Sequence, residues 1–492
     1  MILRSRWIRW ILIAVVVVGL LGGFAWYKLL REVPQAPFAN EGERFKYGSV
    51  GGEFSHGLPY WIWAVLPQVF PDFLPGPGGY RSFGVVWEPG QEVPAGFSKQ
   101  TIGFPRVGNN CAICHTGTWR ASPDDQPHVV VAAPAHTSNV QGMIRFLGRC
   151  AGDPRFNADT LLPAIERETR LSLVDRLLYR FVIIPLTRRA ILQQAQQLAW
   201  MNRPGWPDWG PGRSDPMNLT KYLLTGLPVD NSTGQADFPP LWNLQNRKGP
   251  GLFLNWSCDT PAVISVLIDS GLGVGAAPDL SNPIDHLSWA LNRRAWFLRR
   301  MDELDRFLST LPAPKYPFPI DRALADKGRP VYEQLCASCH EPGAPRTSKL
   351  IPIAEIGTDR NRMDTWSQVA ADRANRAVRS LGIVRPDLVK QEGYASPPLD
   401  GLWMRAPYLH NGSVPTLRDL LLPDAERPKA FYRGYDVYDP VNVGFVTAGP
   451  DAERYGWKED TAERGNGNQG HNYGTALTAS DRDALLEYLK TL

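Results

Sequence analysis

The chain has 492 residues, of which 43% are hydrophobic and 21% are charged, so it can bury at least one large core. Its formal net charge is only +4. Because the basic residues are spread along the chain, composition argues against nucleic acid as a partner.

The N-terminus contains an apolar run that predicts a membrane helix. Residues 10–27 ("WILIAVVVVGLLGGFAWY") carry no charge and follow Arg4, Arg6 and Arg9. A run of this length just spans a bilayer, and leading arginines favour a cytoplasmic start. We expect residues 1–31 to anchor the rest of the chain on the periplasmic side of a bacterial inner membrane. The alternative is a signal peptide cleaved at the small-x-small site of residues 23–25, which also predicts export.

Two copies of one short motif carry the chemistry of the chain. They occur in "NNCAICHTG" (109–117) and "QLCASCHEPG" (334–343), and their members are Cys111, Cys114, His115, Cys336, Cys339 and His340. In C-x-x-C-H both thiols add to the vinyl groups of a c-type haem, and the histidine binds the iron. The sequence therefore predicts two covalently bound haem c groups, with His115 and His340 as iron ligands.

Two other interpretations of the cysteines are weaker. A structural zinc site has no need of a histidine after each pair, and these pairs are too far apart for a zinc ribbon. A thioredoxin-like dithiol would need a βαβ setting, whereas both motifs lie among Gly, Asn and Pro. The remaining cysteines, Cys150 and Cys258, form either a disulfide in the oxidising periplasm or two buried thiols.

Hydrophobic periodicity divides the exported part into two haem domains. Residues 33–105 are rich in Pro and Gly and predict loops, whereas 159–201 and 284–311 have helical patterns expected to form core helices around the first haem. Four prolines within residues 312–319 interrupt the helical pattern. We therefore predict an N-terminal haem domain over 32–312 and a C-terminal cytochrome c domain over 313–492.

The C-terminal domain has helices where a cytochrome c needs them. Residues 321–335 predict a helix that leads into Cys336. In "SDRDALLEYLKTL", Ser480 and Asp483 predict a helix cap, and the following apolar face predicts a closing helix that packs on the first. Because strand signals are sparse, the expected fold is mainly α, with two class I cytochrome c-like domains, long loops and one transmembrane helix.

Longer segments resemble a known superfamily. Residues 394–421 ("YASPPLDGLWMRAPYLHNGSVPTLRDLL") are similar to the Tyr/His segment of bacterial di-haem cytochrome c peroxidases and of the di-haem enzyme that matures methylamine dehydrogenase. Similarity to the rubber oxygenase type of di-haem cytochrome is closer. It includes "WGPGRSDPMN" (209–218), "ADFPPLWN" (236–243), 316–340 and 465–492. The resemblance implies that the N-terminal haem reacts with an exogenous ligand, while the C-terminal haem stores or relays electrons.

The resemblance also bears on the second ligand of the His340 haem. The peroxidases place a Met, and the methylamine enzyme a Tyr, fourteen residues after the histidine that corresponds to His410, but Asp424 stands there in this chain. His471, between glycines in "QGHNYG", is then the better candidate. Met404 and His410 are rivals, although we expect His410 beside the ligands, together with Arg405, whose guanidinium would hold a haem propionate.

The second ligand of the His115 haem is less defined. His136, 21 residues after His115, is a candidate ligand or catalytic acid/base, and His128 and His286 are alternatives. Oxygenases of the family keep an open distal site lined by apolar residues. Where they carry a tryptophan and an acidic-glycine pair, this chain has "GLFLNWSCD", in which Cys258-Asp259 breaks the pattern and argues against rubber cleavage.

These observations predict a di-haem oxidoreductase that activates peroxide or O2 at the His115 haem. Its predicted partners are a membrane or periplasmic redox protein, a small oxidant and the lipid bilayer. The alternative is a non-catalytic electron-transfer cytochrome, and a haem-based sensor is a third. Trp242 or Trp256 would bridge the two haems, or simply line their pockets. The resemblance to peroxidases also permits a Ca²⁺ ion between the domains.

Overall fold

The computed structural model describes residues 2–254 and 256–492, with side chains from residue 7 onward. The side chains of Arg4 and Arg6, and Asn255 within "GLFLNWSCD", lie outside the described part.

Within these ranges the chain is mainly helical, and the strands are short. The α-helices are α1 (Ile2–Ala25), α2 (Glu41–Tyr47), α3 (Gly52–Ser55), α4 (Tyr60–Val69), α5 (Val140–Gly152), α6 (Ala158–Glu168), α7 (Leu173–Leu178), α8 (Ile184–Gln197), α9 (Pro216–Leu219), α10 (Val263–Gly271), α11 (Pro283–Ser288), α12 (Arg294–Thr310), α13 (Arg322–Leu335), α14 (Ala337–His340), α15 (Ile353–Ile356), α16 (Asn361–Thr365), α17 (Gln368–Ser380), α18 (Leu417–Leu420), α19 (Pro450–Tyr455) and α20 (Ala479–Leu489). The strands are β1 (Glu32–Val33), β2 (Leu58–Pro59), β3 (Phe97–Ile102), β4 (Phe104–Asn109), β5 (Thr116–Trp119), β6 (His128–Val131), β7 (Arg213–Ser214), β8 (Ala236–Asp237), β9 (Leu350–Pro352), β10 (Gly393–Ala395), β11 (Ala430–Arg433), β12 (Tyr438–Asp439), β13 (Gly444–Phe445) and β14 (Trp457–Asp460).

The N-terminal helix joins the body of the protein without a linker. Trp7–Leu30 is long and apolar enough to cross a membrane, and none of its most apolar window is buried. A membrane anchor and a signal sequence both fit this description. Two residues after Leu30, β1 pairs antiparallel with β3 in a four-stranded sheet of order β1-β3-β4-β2, with Glu32 opposite Ile102.

The Pro/Gly-rich segment forms a core, so the prediction that residues 33–105 merely wrap around one is wrong. Large apolar side chains of this segment, among them Trp63, Leu66, Phe70 and Phe97, pack against α5, α6 and α8. The Trp63 and Tyr80 rings stack with centroids 4.3 Å apart at 6°. Aromatic side chains bury enough area to make a core from irregular backbone, which periodicity does not detect.

The helical pattern of residues 284–311 is confirmed, but two leucines of its apolar stripe lie outside the core, where Trp289 packs instead. Met301, Leu304 and Leu308 of α12 are buried, whereas Leu287 and Leu291 are exposed. A π-helical turn, Trp289–Arg293, separates α11 from α12. Because a π turn adds a residue to the helical repeat, it rotates the apolar stripe between the two helices.

Helices α13 and α20 pack closely in the C-terminal part. A Cβ atom on Gly328 of α13 would lie 1.9 Å from the Ala484 carbonyl oxygen of α20, so only glycine fits this crossing. The predicted Ser480/Asp483 cap is wrong. Helix α20 begins two residues earlier than the predicted cap allows, and the Thr478 side chain accepts from the Asp481 amide.

The segments on the two sides of residue 312 interlock. Arg213 and Glu459, both fully buried, form an ion pair with Nη1 and Oε1 2.6 Å apart. Thr118 of β5 donates to Asp436 at 2.9 Å. The predicted domain boundary at 312/313 therefore separates two parts of the chain that share buried polar contacts.

Candidate haem sites

The first C-x-x-C-H motif is held in a tight turn at the end of β4. The Asn110 side chain caps the 3-10 turn Cys111–Ile113, accepting from the Ala112 amide at 2.9 Å. The Asn110 amide group also donates to the carbonyl oxygens of Lys46 and Gly48 at 3.1 and 3.0 Å. The second motif follows α13 directly, and α14 carries Cys339 and His340.

Both motif histidines are oriented by the same kind of contact. Nδ1 of His115 lies 2.8 Å from the Pro239 carbonyl oxygen, and Nδ1 of His340 lies 2.7 Å from that of Pro397. A carbonyl acceptor fixes the proton on Nδ1 and leaves Nε2 as the free ligand atom. No described residue makes a hydrogen bond to Nε2 of either ring. In both imidazoles Nε2 is therefore the nitrogen left free for a metal ion, as the motif predicts.

Sequence reasoning missed these two carbonyl groups, although the sequence contains a signal for them. Each belongs to the first proline of a Pro-Pro-Leu triplet, 239–241 in one site and 397–399 in the other. A proline followed by a proline has an extended, stiff backbone, which holds its carbonyl in a fixed direction. The repeat was visible, but its role depends on contacts with residues 124 and 57 positions away.

Burial keeps the candidate ligands in the neutral form that binds metal. It lowers the pKa of His115 to about 4, against the opposing effect of the Pro239 carbonyl group. Burial likewise lowers the pKa of His340. The pKa of His471 is lowered to about 3 by burial and then by the nearby His340 and Arg427 side chains.

The structure brings the His471 ring opposite the His340 ring. Their ring centroids are 6.2 Å apart at an interplanar angle of 47°. Two imidazoles that bind one metal ion from opposite sides, each with a metal–nitrogen distance of about 2 Å, have centroids about 6 Å apart. The separation fits one iron between the two histidines, as predicted for the second haem.

The loop that carries His471 is held by backbone contacts. The His471 amide donates to the Ile356 carbonyl at 2.7 Å, and a Cβ atom on Gly470 would lie 2.3 Å from the Gly357 carbonyl carbon. His471 itself adopts a φ of 51°, a strained value for a non-glycine residue. Arg427, nearly fully buried, donates to the carbonyl oxygens of Asn468 and Gly470 at 2.6 and 2.8 Å.

Buried guanidinium nitrogens without acceptors show whether the residues present suit an anionic cofactor. Nε of Arg247, Nε of Arg405, and Nε and Nη1 of Arg362 are buried and make no hydrogen bond. Burial lowers the pKa of Arg247 to about 9, and the neighbouring Arg405 contributes in the same direction. Such groups are costly unless an anion meets them. Haem propionates are anions of this kind, so the residues present fit the group.

Arg405 and His410 were predicted to stand beside the ligands. Arg405 donates to the Pro398 carbonyl at 2.7 Å, next to the Pro397 carbonyl group that orients His340. His410 is buried and stacks on Tyr394 with centroids 4.1 Å apart. Its Nε2 makes no hydrogen bond, and its carbonyl accepts from the Asp237 amide at 2.9 Å. Arg405 therefore adjoins the loop that orients His340, and His410 lies between β10 and Asp237, two residues before Pro239.

His136 lies near the first motif but does not face His115. The amide of the preceding residue, Ala135, donates to the Cys114 carbonyl at 3.0 Å. The His136 ring instead stacks on Phe445 with centroids 3.8 Å apart, whereas the ring nearest His115 is that of Phe238 at 6.3 Å. Neither His136 nitrogen makes a hydrogen bond. Its predicted role as ligand or acid/base stays a prediction.

The other candidate ligands lie elsewhere. His128 and His286 are exposed, and the His128 ring stacks on Trp119 at 4.2 Å. Met404 is fully buried, and a Cβ atom on Gly117 of β5 would lie 3.0 Å from its Cε.

Cys111 packs in an apolar cluster with residues of α10 and α12 and with Leu241, Leu244 and Leu254. The surroundings of the first motif are therefore largely apolar.

Cys150 and Cys258 are both buried free thiols in the structure, and Cys150 belongs to the core formed with α6 and α8. Within residues 2–254 and 256–492, no group of three or more His, Cys, Asp or Glu side chains could hold a metal ion, so the Ca²⁺ ion stays a prediction.

Trp242 lies between the two candidate sites. It follows the Pro239 loop of the first site in the chain. Its Nε1 donates to the Asp400 carbonyl at 2.7 Å, and Arg405 of the second site lies 5.9 Å from its ring centroid. Trp256 has a buried Nε1 without a hydrogen bond. Of the two tryptophans, Trp242 is thus the one that adjoins the Pro239 loop in the chain and contacts Asp400 and Arg405 of the second site.

Comparison with known proteins supports a cytochrome c relationship. Residues 393–432 match a family described as RoxA-like, cytochrome c-like. The matched segment contains β10, Arg405, His410 and Pro397, whose carbonyl orients His340. The relationship implies haem c binding and electron transfer for this chain.

Two curated relatives come from Sinorhizobium fredii (strain NBRC 101917 / NGR234). The uncharacterized protein y4iM is 35% identical over 165 aligned positions, which cover 28% of this chain and 37% of y4iM. The uncharacterized protein y4iJ is 25% identical over 562 aligned positions, which cover 90% of each chain. The chain thus matches little more than a third of y4iM and nearly all of y4iJ.

Proposed function

We propose that this chain is a membrane-anchored, periplasm-facing di-haem cytochrome c of the cytochrome c peroxidase superfamily, related to the rubber oxygenase type. In this proposal the His115 site binds a small oxidant, peroxide or O2, and the His340/His471 site relays electrons. The predicted partner is a redox protein of the membrane or periplasm.

The difference between the two sites carries the proposal. His340 is faced by His471 at a ring-centroid distance of 6.2 Å, whereas no described histidine ring faces His115. A haem iron with two protein ligands serves electron transfer, whereas one with a single ligand can bind a small oxidant.

The residues around the first motif suit such a site. The Pro239 carbonyl orients His115, while the apolar side chains around Cys111 exclude water and strengthen electrostatic interactions there. His136, with a pKa lowered to about 4 by burial, would be neutral at pH 7 and adds no charge beside the site. Cys258 and Asp259 replace the residues expected of rubber oxygenases, so the proposal assigns no organic substrate.

The experiment is electron paramagnetic resonance on the oxidised full-length protein in detergent, with and without cyanide. We expect one high-spin signal that becomes low-spin when cyanide is added, and one low-spin signal that does not respond. Two low-spin signals that are both indifferent to cyanide would refute the oxidant-binding role.

The second candidate is an electron carrier without a substrate of its own. Trp242 favours it, because this residue follows the Pro239 loop of the first site in the chain and contacts Arg405 of the second, and an indole between two redox centres provides a route for electrons. Rapid mixing of the reduced protein with hydrogen peroxide separates the candidates. An oxidation rate that saturates as the peroxide concentration rises supports the enzyme. A slow oxidation whose rate does not saturate supports the carrier.

A further inference from the structure

Two helices expose apolar side chains beside the point where the N-terminal helix enters the body of the protein. On α7 and the π turn after it, Leu173, Leu177 and Phe181 are 73, 48 and 68% exposed. On α11 and the π turn after it, Ile284, Leu287 and Leu291 are 61, 60 and 70% exposed. We name these two sets the α7 face and the α11 face.

The spacing of both sets makes each a single helical face. The α7 residues are four positions apart, and the α11 residues follow an i, i+3, i+7 pattern. Contiguous exposed apolar side chains of this kind mark a surface that contacts something apolar.

The α7 face lies at the end of the N-terminal helix. Lys28, in the last turn of that helix, forms an ion pair with Asp175 of α7 at 2.7 Å. Tyr179, in the π turn after α7, packs on Phe104 next to the β3–β4 turn. A helix of 24 residues is about 36 Å long, slightly more than the apolar layer of a bilayer, so Lys28 would lie at its surface.

The α11 face is connected to the same point through two arginines. Arg106 donates to the Leu29 carbonyl at 3.2 Å and to the Phe54 carbonyl at 3.4 Å. Arg293, in the π turn after α11, donates to Ser55 at 2.9 Å. Residues 54 and 55 therefore connect the end of the N-terminal helix with α11.

The connection to the N-terminal helix is rigid, which fixes the side of the body that would face a bilayer. The Gly103 amide donates to the Arg31 carbonyl at 2.8 Å, and a Cβ atom on Gly103 would lie 2.4 Å from Leu29 Cα. Only Arg31 separates the helix from β1. With no linker, the residues around the end of the helix stay within a few ångströms of the membrane surface.

We propose that the α7 face and the α11 face insert into the interfacial layer of the bilayer that the N-terminal helix crosses. Amphipathic helices bind there by burying apolar side chains among lipid headgroups and the first acyl carbons. Arg176 and Arg180 flank the α7 face in exposed ion pairs with Glu166 and Asp159, and such solvent-exposed guanidinium groups can exchange these partners for anionic headgroups. This inference rests on the membrane anchor of the proposed function. It adds that the haem-bearing body has a fixed orientation on the membrane.

The test measures the depth of nitroxide labels in the full-length protein in nanodiscs of phosphatidylethanolamine and phosphatidylglycerol. Labels are placed by Phe181→Cys and Leu287→Cys, with Val441→Cys as the matched exposed control and Val16→Cys as the reporter of the membrane helix. Val441 is 66% exposed in the turn between β12 and β13, where the neighbouring Pro440 carbonyl accepts from Tyr316 in the C-terminal part of the chain. Cys150 and Cys258 are fully buried, and the C-x-x-C-H thiols are occupied in the haem-loaded protein, so the label goes to the introduced cysteine.

Accessibility to oxygen and to a water-soluble nickel chelate distinguishes the outcomes. We expect labels at 181, 287 and 16 to be more accessible to oxygen than to nickel, and the label at 441 to show the reverse. Nickel accessibility at 181 or 287 equal to that at 441 would overturn the inference. Low accessibility to both reagents would overturn it too, because it indicates contact with a second copy. If the labels at 181 and 287 are in water while the label at 16 is in lipid, only this inference is wrong. If the label at 16 is in water, the membrane anchor of the proposed function is wrong as well.

Discussion

Replacement of Gly328 by alanine tests whether the close crossing of α13 and α20 supports the second haem site. The added Cβ would lie 1.9 Å from the Ala484 carbonyl oxygen, whereas an ordinary carbon–oxygen contact needs about 3.3 Å. The helices must then separate by about 1.4 Å. Overpacking of this kind costs about 1–3 kcal/mol, and the better helix propensity of alanine returns up to about 1 kcal/mol. We expect Gly328→Ala to lower the free energy of unfolding by about 2 kcal/mol.

The measurement is urea unfolding of the haem-loaded protein, followed by helical circular dichroism and by haem absorbance. The matched control is Gly152→Ala at the end of α5, where a Cβ atom meets nothing within 4 Å. The control should be unchanged or slightly more stable. Because α13 leads directly into Cys336, Gly328→Ala should also disturb the low-spin haem signal. A Gly328→Ala protein as stable as the Gly152→Ala protein would refute the reasoning.

Three further predictions concern buried polar groups. Glu459→Gln leaves the Arg213 charge without its buried partner and should lower the free energy of unfolding in urea by about 3–5 kcal/mol. The control Glu453→Gln, on the surface, should change stability by less than about 0.5 kcal/mol. Burial depresses the pKa of His136 from 6.5 to about 4. The stability that this buried neutral imidazole contributes is therefore fully present above pH 6.5 and is lost as the pH falls toward 4. Between pH 7 and pH 4, His136→Gln should therefore lose about 3 kcal/mol less free energy of unfolding than wild type. Equal losses in the two proteins would contradict this. Arg427→Met removes the donors to the Asn468 and Gly470 carbonyls and should raise the high-spin fraction of the second haem more than Arg427→Lys does. An unchanged low-spin spectrum would show that Arg427 does not position His471.

The covalent attachment motifs and the helices were predictable because their signals are local. The C-x-x-C-H motifs, the helix before Cys336 and the closing helix each depend on residues close together in the chain. His471 was selected because Asp424 occupies the position of the family ligand, and the structure places its ring opposite His340.

The remaining features depend on distant contacts. The π turn at Trp289–Arg293 rotates the α11 face out of the core, although the sequence pattern runs through it without a break. The core built from residues 33–105 arises from aromatic packing rather than periodicity. The orientation of His136 toward Phe445 depends on a residue more than 300 positions away.

The most direct test of the proposed function compares the oxidised spectra of His471→Ala and His136→Ala with wild type by electron paramagnetic resonance. The account predicts one high-spin and one low-spin haem in wild type. His471→Ala should convert the low-spin haem to high spin, and His136→Ala should leave both signals unchanged. Two low-spin haems in wild type, with a high-spin signal that appears only in His136→Ala, would contradict the account. That result would make His136 the second ligand of the His115 iron and remove the open site.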